Sequence, residues 1–193
     1  MAKRNEVSYY PEIMDFIKNQ IESNFKASKS PLKVYCKTGE LKKGLAEIIS
    51  ENGITTPSIV SFANSTPPLF LDIFALITDG TDYELLIVEV KLLENVGLAQ
   101  LSQLIGYCIV SNAQYGLLIN VNGGESPRLV DLLSNEPDVT YIRRMLAYSS
   151  RLVEHNLGVM EWDSDVQNLY YSGYGRIQSI SKLCEMLAAK FTP

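Results

Sequence analysis

Leu85-Leu86-Ile87-Val88-Glu89-Val90-Lys91 runs four apolar residues directly into a carboxylate and an ammonium. Such a run predicts a buried strand. A charge inside it is costly unless it is matched. Because side chains alternate along a strand, Glu89 and Lys91 project from one face, roughly 6 to 7 Å apart. They can therefore act on one substrate.

Upstream, Leu69-Phe70-Leu71-Asp72-Ile73-Phe74-Ala75-Leu76-Ile77 is a second apolar segment of strand length, and Asp72 is its only charge. Between the two lies Thr78-Asp79-Gly80-Thr81-Asp82-Tyr83, whose Asp-Gly step predicts a hairpin turn. If Gly80 and Thr81 form the loop, Asp79 pairs with Asp82, and counting outward sets Asp72 opposite Glu89. Like charges so placed are destabilising unless something neutralises them, and a divalent cation is the simplest neutraliser. A few oxygen ligands that leave positions for water and phosphate suit Mg²⁺ or Mn²⁺ better than zinc. A slip of one residue would send Asp72 to the other face.

The 193 residues are enough for one domain with a substantial core. Every apolar stretch breaks well short of the roughly 20 residues of a bilayer span, so no membrane association is expected. Met1 to Glu6 lacks the apolar core of a secretory signal, and the expectation is a cytoplasmic protein. Cys36, Cys108 and Cys184 are too scattered for a disulfide framework or a zinc site. His155, the only histidine, has no nucleophile elbow to serve and is read as a surface or packing residue. Phosphate-loop and dinucleotide glycine motifs are absent. The net charge of −5 is unevenly spread: residues 1–50 hold nine Lys or Arg against six Asp or Glu. Lys26, Lys29, Lys33, Lys37, Lys42 and Lys43 read either as a phosphate-facing surface or as a solvated face.

Elsewhere the pattern predicts a helix opening at Pro11, a strand at 32–36 and a helix carrying Leu41, Leu45 and Ile48. A short strand at 58–62 follows, before the hairpin. Val96 to Ser111 reads as a helix with Leu101, Leu104, Ile105 and Cys108 as its apolar stripe. Gln100, Gln103 and Tyr107 form a second stripe expected at its buried margin. A core strand at 115–120, a short helix at 128–133, strands at 157–162 and 169–174 and a terminal helix at 179–191 complete the reading.

The order helix, strand, Asp-bearing strand, Glu-x-Lys strand, amphipathic helix, strand resembles the PD-(D/E)XK nuclease superfamily. Asp72, Glu89-Val90-Lys91 and Gln103-Leu104-Ile105-Gly106-Tyr107 carry the resemblance, the last looking like the Gln-x-x-x-Tyr element of one branch. It covers about residues 69–120, and Leu71 stands where a proline is frequent before the Asp. The resemblance implies an α/β restriction-endonuclease-like fold, with a central mixed sheet flanked by helices in the order αβββαβ. In 1–193, a single domain, it would place a core at about 40–120, an extra N-terminal helix before it, and a C-terminal β/α extension over about 125–193. It further implies a metal-dependent DNA endonuclease, with RNA the less favoured substrate. Asp72, Glu89 and the Val90 carbonyl would hold Mg²⁺ or Mn²⁺, Lys91 would orient the attacking water, Gln103 would touch the substrate or the metal's water, and Tyr107 would support Gln103. A helix carboxylate often completes such sites; Glu12 and Glu47 are both candidates, with Glu47 preferred. A homodimer is compatible, since many such nucleases cut two strands with two sites. The alternative is a catalytically inactive binding or assembly module on the same fold, consistent with the acidic net charge.

Overall fold

The computed structural model describes residues 4–145, 152–170 and 173–191. A 3₁₀ turn at Glu6–Tyr9 leads into α1 (Tyr10–Phe25), followed by β1 (Lys33–Glu40), α2 (Leu41–Glu51) and α3 (Pro57–Ser65). The hairpin strands are β2 (Phe70–Thr78) and β3 (Tyr83–Lys91). Then come β4 (Asn95–Val96), α4 (Leu98–Ser111), β5 (Tyr115–Val121), β6 (Gly124–Glu125) and α5 (Pro127–Asn135). The chain continues through β7 (Tyr141–Met145), β8 (Leu152–Asp163), β9 (Asn168–Leu169) and β10 (Tyr174–Gly175) to α6 (Ile180–Phe191).

The architecture is α/β, with a central mixed sheet between two helical layers. β1, β2 and β3 are successive antiparallel neighbours, whereas β3, β5 and β8 run parallel. The far side of β8 is lined in turn by the short strands β7, β10 and β9. Both sheet faces are apolar, as the unbroken runs in β2 and β3 require. Ile73, Ala75, Ile77, Leu86 and Val88 pack with α1 and α6 on one face. Phe74, Leu76, Leu85 and Ile87 pack with α2 and α4 on the other. Gly44 lets α2 approach closely, because a Cβ there would stand 2.4 Å from Phe74 Cζ.

Three expectations need correction. Residues 58–62 are helical, within α3: Pro57 opens the first turn and Ile59 and Ala63, four apart, are its buried pair. A five-residue segment with three apolar positions cannot by itself separate strand from helix. The strand preceding the hairpin is therefore β1, and the helix before it is α1. Far from being an extra element, α1 supplies Ile13, Ile17 and Ile21 to the same core cluster as the hairpin. The strand expected at 169–174 is reduced to β9 and β10, with residues 171 and 172 outside the described residues.

Candidate functional site

The turn is longer than the expected two-residue loop: the ladder ends at Thr78↔Tyr83, so Asp79 does not pair with Asp82, although the register it sets is the same. Asp79 Oδ1 accepts hydrogen bonds from Thr81 N at 2.8 Å and Asp82 N at 2.9 Å, and Gly80 takes φ +98°. The β2–β3 ladder then runs from Thr78↔Tyr83 to Ile73↔Val88, the register anticipated above. It stops one pair short of Asp72–Glu89. The cause lies on the other side of β2. Lys37 pairs with Phe74 but Gly39 pairs with Leu71, so β2 carries one extra residue at Asp72–Ile73. Leu71 consequently joins Phe74 and Leu76 in one cluster, while Ile73 belongs to the other. A bulge of this kind re-aims a side chain. Here it frees Asp72 from direct opposition to Glu89.

Asp72 Oδ2 accepts a hydrogen bond from Val90 N at 3.0 Å and lies 3.4 Å from Lys91 Nζ. The same ammonium stands 2.6 Å from Glu89 Oε1. One lysine thus bridges both carboxylates at the end of the hairpin. Since the N–H and C=O of a strand residue point to the same side, the Val90 carbonyl is directed into the gap beside Asp72. Glu89, 2 % exposed, is the most deeply buried of the three charges. Burial pushes its carboxyl up; the Lys91 hydrogen bond pulls it back; the negative charges of Asp72 and Glu6 add to the rise, which prevails. For Lys91, burial pulls the ammonium down, but Glu89, Asp72 and Glu6 outweigh it and its pKa is raised.

Glu6 and Tyr10 were not singled out from the sequence. The Tyr10 hydroxyl donates to Glu6 Oε1 at 3.2 Å. Burial first, then Asp72 and Glu6, push its ionisation upward. The only sequence signal was the four-residue spacing of Glu6 and Tyr10 at a helix start. Their arrival beside Asp72 depends on how α1 lies across the sheet.

The expected helix carboxylates lie elsewhere. Glu47 is 42 % exposed and paired with Lys37 at 2.9 Å; Glu12 accepts from the buried Trp162 Nε1 at 3.1 Å and from Arg4 at 3.0 Å. Neither is among the charges felt at Glu89 or Lys91, whereas Glu6 is. The α4 stripe also differs. Gln100 caps the helix by accepting from Gly97 N, and Gln103 is exposed, donating to the Tyr107 hydroxyl at 3.0 Å. At 100° per residue, Gln103 sits about 150° from the centre of the apolar stripe, against about 90° to 110° for Gln100 and Tyr107. Its place at the buried margin was therefore an overestimate. Lys37 is neutralised by Glu47 and Glu51, which removes it from any phosphate-facing surface; Lys42 and Lys43 are exposed at the start of α2. His155 is fully buried, with Nδ1 2.6 Å from the Ala113 carbonyl and Nε2 accepting from Arg144, a packing role.

Asn120 stands beside Lys91 in the parallel register, with Glu161 beyond it. Its buried amide ties Leu93 to Gly124 and so closes the loops after β3 and β5. Burial raises the carboxyls of Glu161 and Glu125, and the charge of Glu161 adds to the shift at Glu125. This end of the sheet attracts cations and repels a bare polyanion.

Among the described residues no three His, Cys, Asp or Glu side chains close into a ready-made cage. Asp72, Glu89 and Glu6 nevertheless outnumber the single ammonium around them, and all the candidate ligands are hard oxygens. Mg²⁺, which is held by one or two carboxylates and retains its waters, fits that set.

No protein-family model, curated protein or solved structure matches the chain. No helix of the described residues is long and apolar enough to cross a membrane.

The raised carboxyl of Glu89 has a defined pH signature. A folded-state pKa above the unfolded one contributes stability that is complete below the ordinary value of 4.5 and lost as pH rises through the raised value. In chelator, thermal melts taken upward from about pH 4 should show wild type losing stability relative to Glu89→Gln. Parallel pH profiles of the two proteins would remove this assignment.

Proposed function

We propose that the chain is a metal-dependent DNA endonuclease of the PD-(D/E)XK superfamily with a restriction-endonuclease-like fold, RNA being the less favoured substrate. The observation that carries this reading is the convergence of Asp72 and the buried Glu89 on Lys91, at the end of an antiparallel hairpin joined through α4 to a parallel strand. Asp72, Glu89 and the Val90 carbonyl would hold Mg²⁺ or Mn²⁺, and Glu6, whose charge is felt at Glu89 and Lys91, would favour a cation there without serving as a ligand. A bound cation supplies Lewis-acid polarisation of the phosphate and a lowered pKa for its water. Asp72 is fixed for this task by the Val90 N–H. Lys91 remains protonated in this acidic setting, orients the attacking water and offsets the charge developing on the phosphate.

The alternative, an inactive binding or assembly module, is favoured by one observation: Lys91 already bridges the two carboxylates, so the cluster is partly neutralised without a metal. A cleavage assay separates the two. Single-stranded, duplex and branched DNA are incubated with Mg²⁺, Mn²⁺ or chelator. Metal-dependent cutting of at least one form, absent in chelator, is expected. Salt-sensitive DNA binding without cleavage of any form would turn the assignment to the inactive module.

A further inference from the structure

Phe70 opens β2 at 73 % exposure, next to the buried Leu71. One apolar residue in water needs no explanation. Here two of them frame the charged cluster: Phe70 lies two residues before Asp72, and the exposed Leu93 lies two residues after Lys91. Neither side chain is carried by a loose backbone. Phe70 pairs with Glu40 in the β1–β2 ladder, and Leu69 O accepts from Leu41 N at 2.8 Å. Leu93 N donates to Oδ1 of the buried Asn120 at 3.1 Å, and its carbonyl accepts from Asn120 Nδ2 at 3.0 Å. Leu71 turns into the core, which leaves Phe70 and Asp72 on the other side of the strand, roughly 6 to 7 Å apart along it. The Leu41–Leu69 bond also sets the first turn of α2 beside Phe70; that turn has no acidic residue and exposes Lys42 and Lys43.

We propose that Phe70 is the platform on which an unpaired nucleobase of the scissile strand stacks, so that single-stranded or branched nucleic acid is the substrate class of this site. The inference rests on the metal-site reading of Asp72 given above. A ring fixed at the strand start offers a π-face to any base, whereas a base inside a duplex has its faces covered by its neighbours. Charge points the same way. A duplex carries one negative charge per about 1.7 Å and a single strand one per about 3.4 Å, and the chain's net charge of −5 disfavours the denser polyanion. Lys42 and Lys43 take the phosphates flanking the stacked base. Glu40, across the ladder from Phe70, keeps phosphate away from the ring itself. Leu93 adds apolar contact without a ring.

Fluorescence anisotropy of a labelled single-stranded DNA, measured on the full chain in chelator so that nothing is cut, reads this contact. Phe70→Ala should weaken binding by roughly 5- to 100-fold, the range of one base–aromatic stack. Phe70→Leu should weaken it nearly as much, and Phe70→Trp should keep wild-type affinity. Lys42→Gln and Lys43→Gln should each flatten the salt dependence, by about 0.7 in the slope of log affinity against log salt. Duplex DNA of the same sequence should bind more weakly and respond less to Phe70→Ala. Unchanged single-strand affinity in Phe70→Ala overturns the proposal, as does full affinity in Phe70→Leu, which would mark mere apolar contact. Failure of wild type to bind single-stranded DNA overturns it outright. A dimer that Phe70→Ala dissolves in sedimentation, with DNA binding intact, would overturn it in favour of a subunit contact. If Phe70→Ala weakens binding but wild type cuts no form of DNA with Mg²⁺ or Mn²⁺, the nuclease reading falls and the stacking role stands.

Discussion

Glu89→Gln, and equally Asp72→Asn, should lose Mg²⁺ and Mn²⁺ binding and lower DNA cleavage by about 10³-fold or more. Such a change corresponds to the several kcal/mol of charge stabilisation that a bound metal contributes to a phosphoryl transition state. For Glu89 the fold should respond in the opposite direction. Its carboxylate is 2 % exposed and its pKa is raised, chiefly by burial, so ionising it costs more in the fold than in the unfolded chain. Replacing it with a neutral side chain of the same size therefore leaves the metal-free protein as stable as wild type or more so at neutral pH. A structural ion pair behaves otherwise, since removing one partner of a buried pair costs roughly 3–5 kcal/mol. Calorimetric metal titration, single-turnover cleavage and thermal melts in chelator read the three quantities. Stability lost together with an unchanged metal affinity would assign Glu89 to the architecture and not to the chemistry.

Lys91→Met should show the complementary pattern, with cleavage lowered by about 10²- to 10³-fold, the scale of losing one group that stabilises developing charge. Metal affinity should stay within a few-fold of wild type, because the ammonium acts on the water and the phosphate and is not a ligand. The methionine stem preserves the packing of a side chain only 18 % exposed. Without its ammonium at 2.6 Å, Glu89 is left buried and unpaired. The metal-free variant should accordingly be destabilised, by no more than the roughly 3–5 kcal/mol of a fully buried pair, and added Mn²⁺ should restore stability. Retention of full cleavage in Lys91→Met would remove the lysine from the mechanism.

These variants separate the parts of the site that local sequence encodes from those that it does not. The register of the hairpin was legible because the Asp-Gly turn and two apolar runs of matching length leave little freedom in the pairing. The burial of Glu89 followed from its place at the end of a run that only a two-sided core accommodates, and the shared face of Glu89 and Lys91 from strand alternation alone. Helix α4 and strand β5 were equally readable, being set by strong periodicity and by an apolar run bounded by turn residues. Gln103 was misjudged within a correctly placed helix, because a polar stripe has an inner and an outer edge and only the inner one meets the sheet.

By itself, then, the sequence determined the two hairpin strands, their register and the residues that carry charge into the core, since these depend on contacts between near neighbours. Only the tertiary structure decided the bulge at Asp72, because the extra residue is defined by pairing with β1, more than thirty residues earlier in the chain. It also decided that α1 belongs with the hairpin, that residues 57–65 are helical, and that the charge of Glu6, not of Glu12 or Glu47, is felt at Glu89 and Lys91. Those outcomes depend on how a helix is laid across a sheet. The side-chain packing that sets its path couples α1 to strands and to α6 across nearly the whole length of the chain, and no local pattern records it.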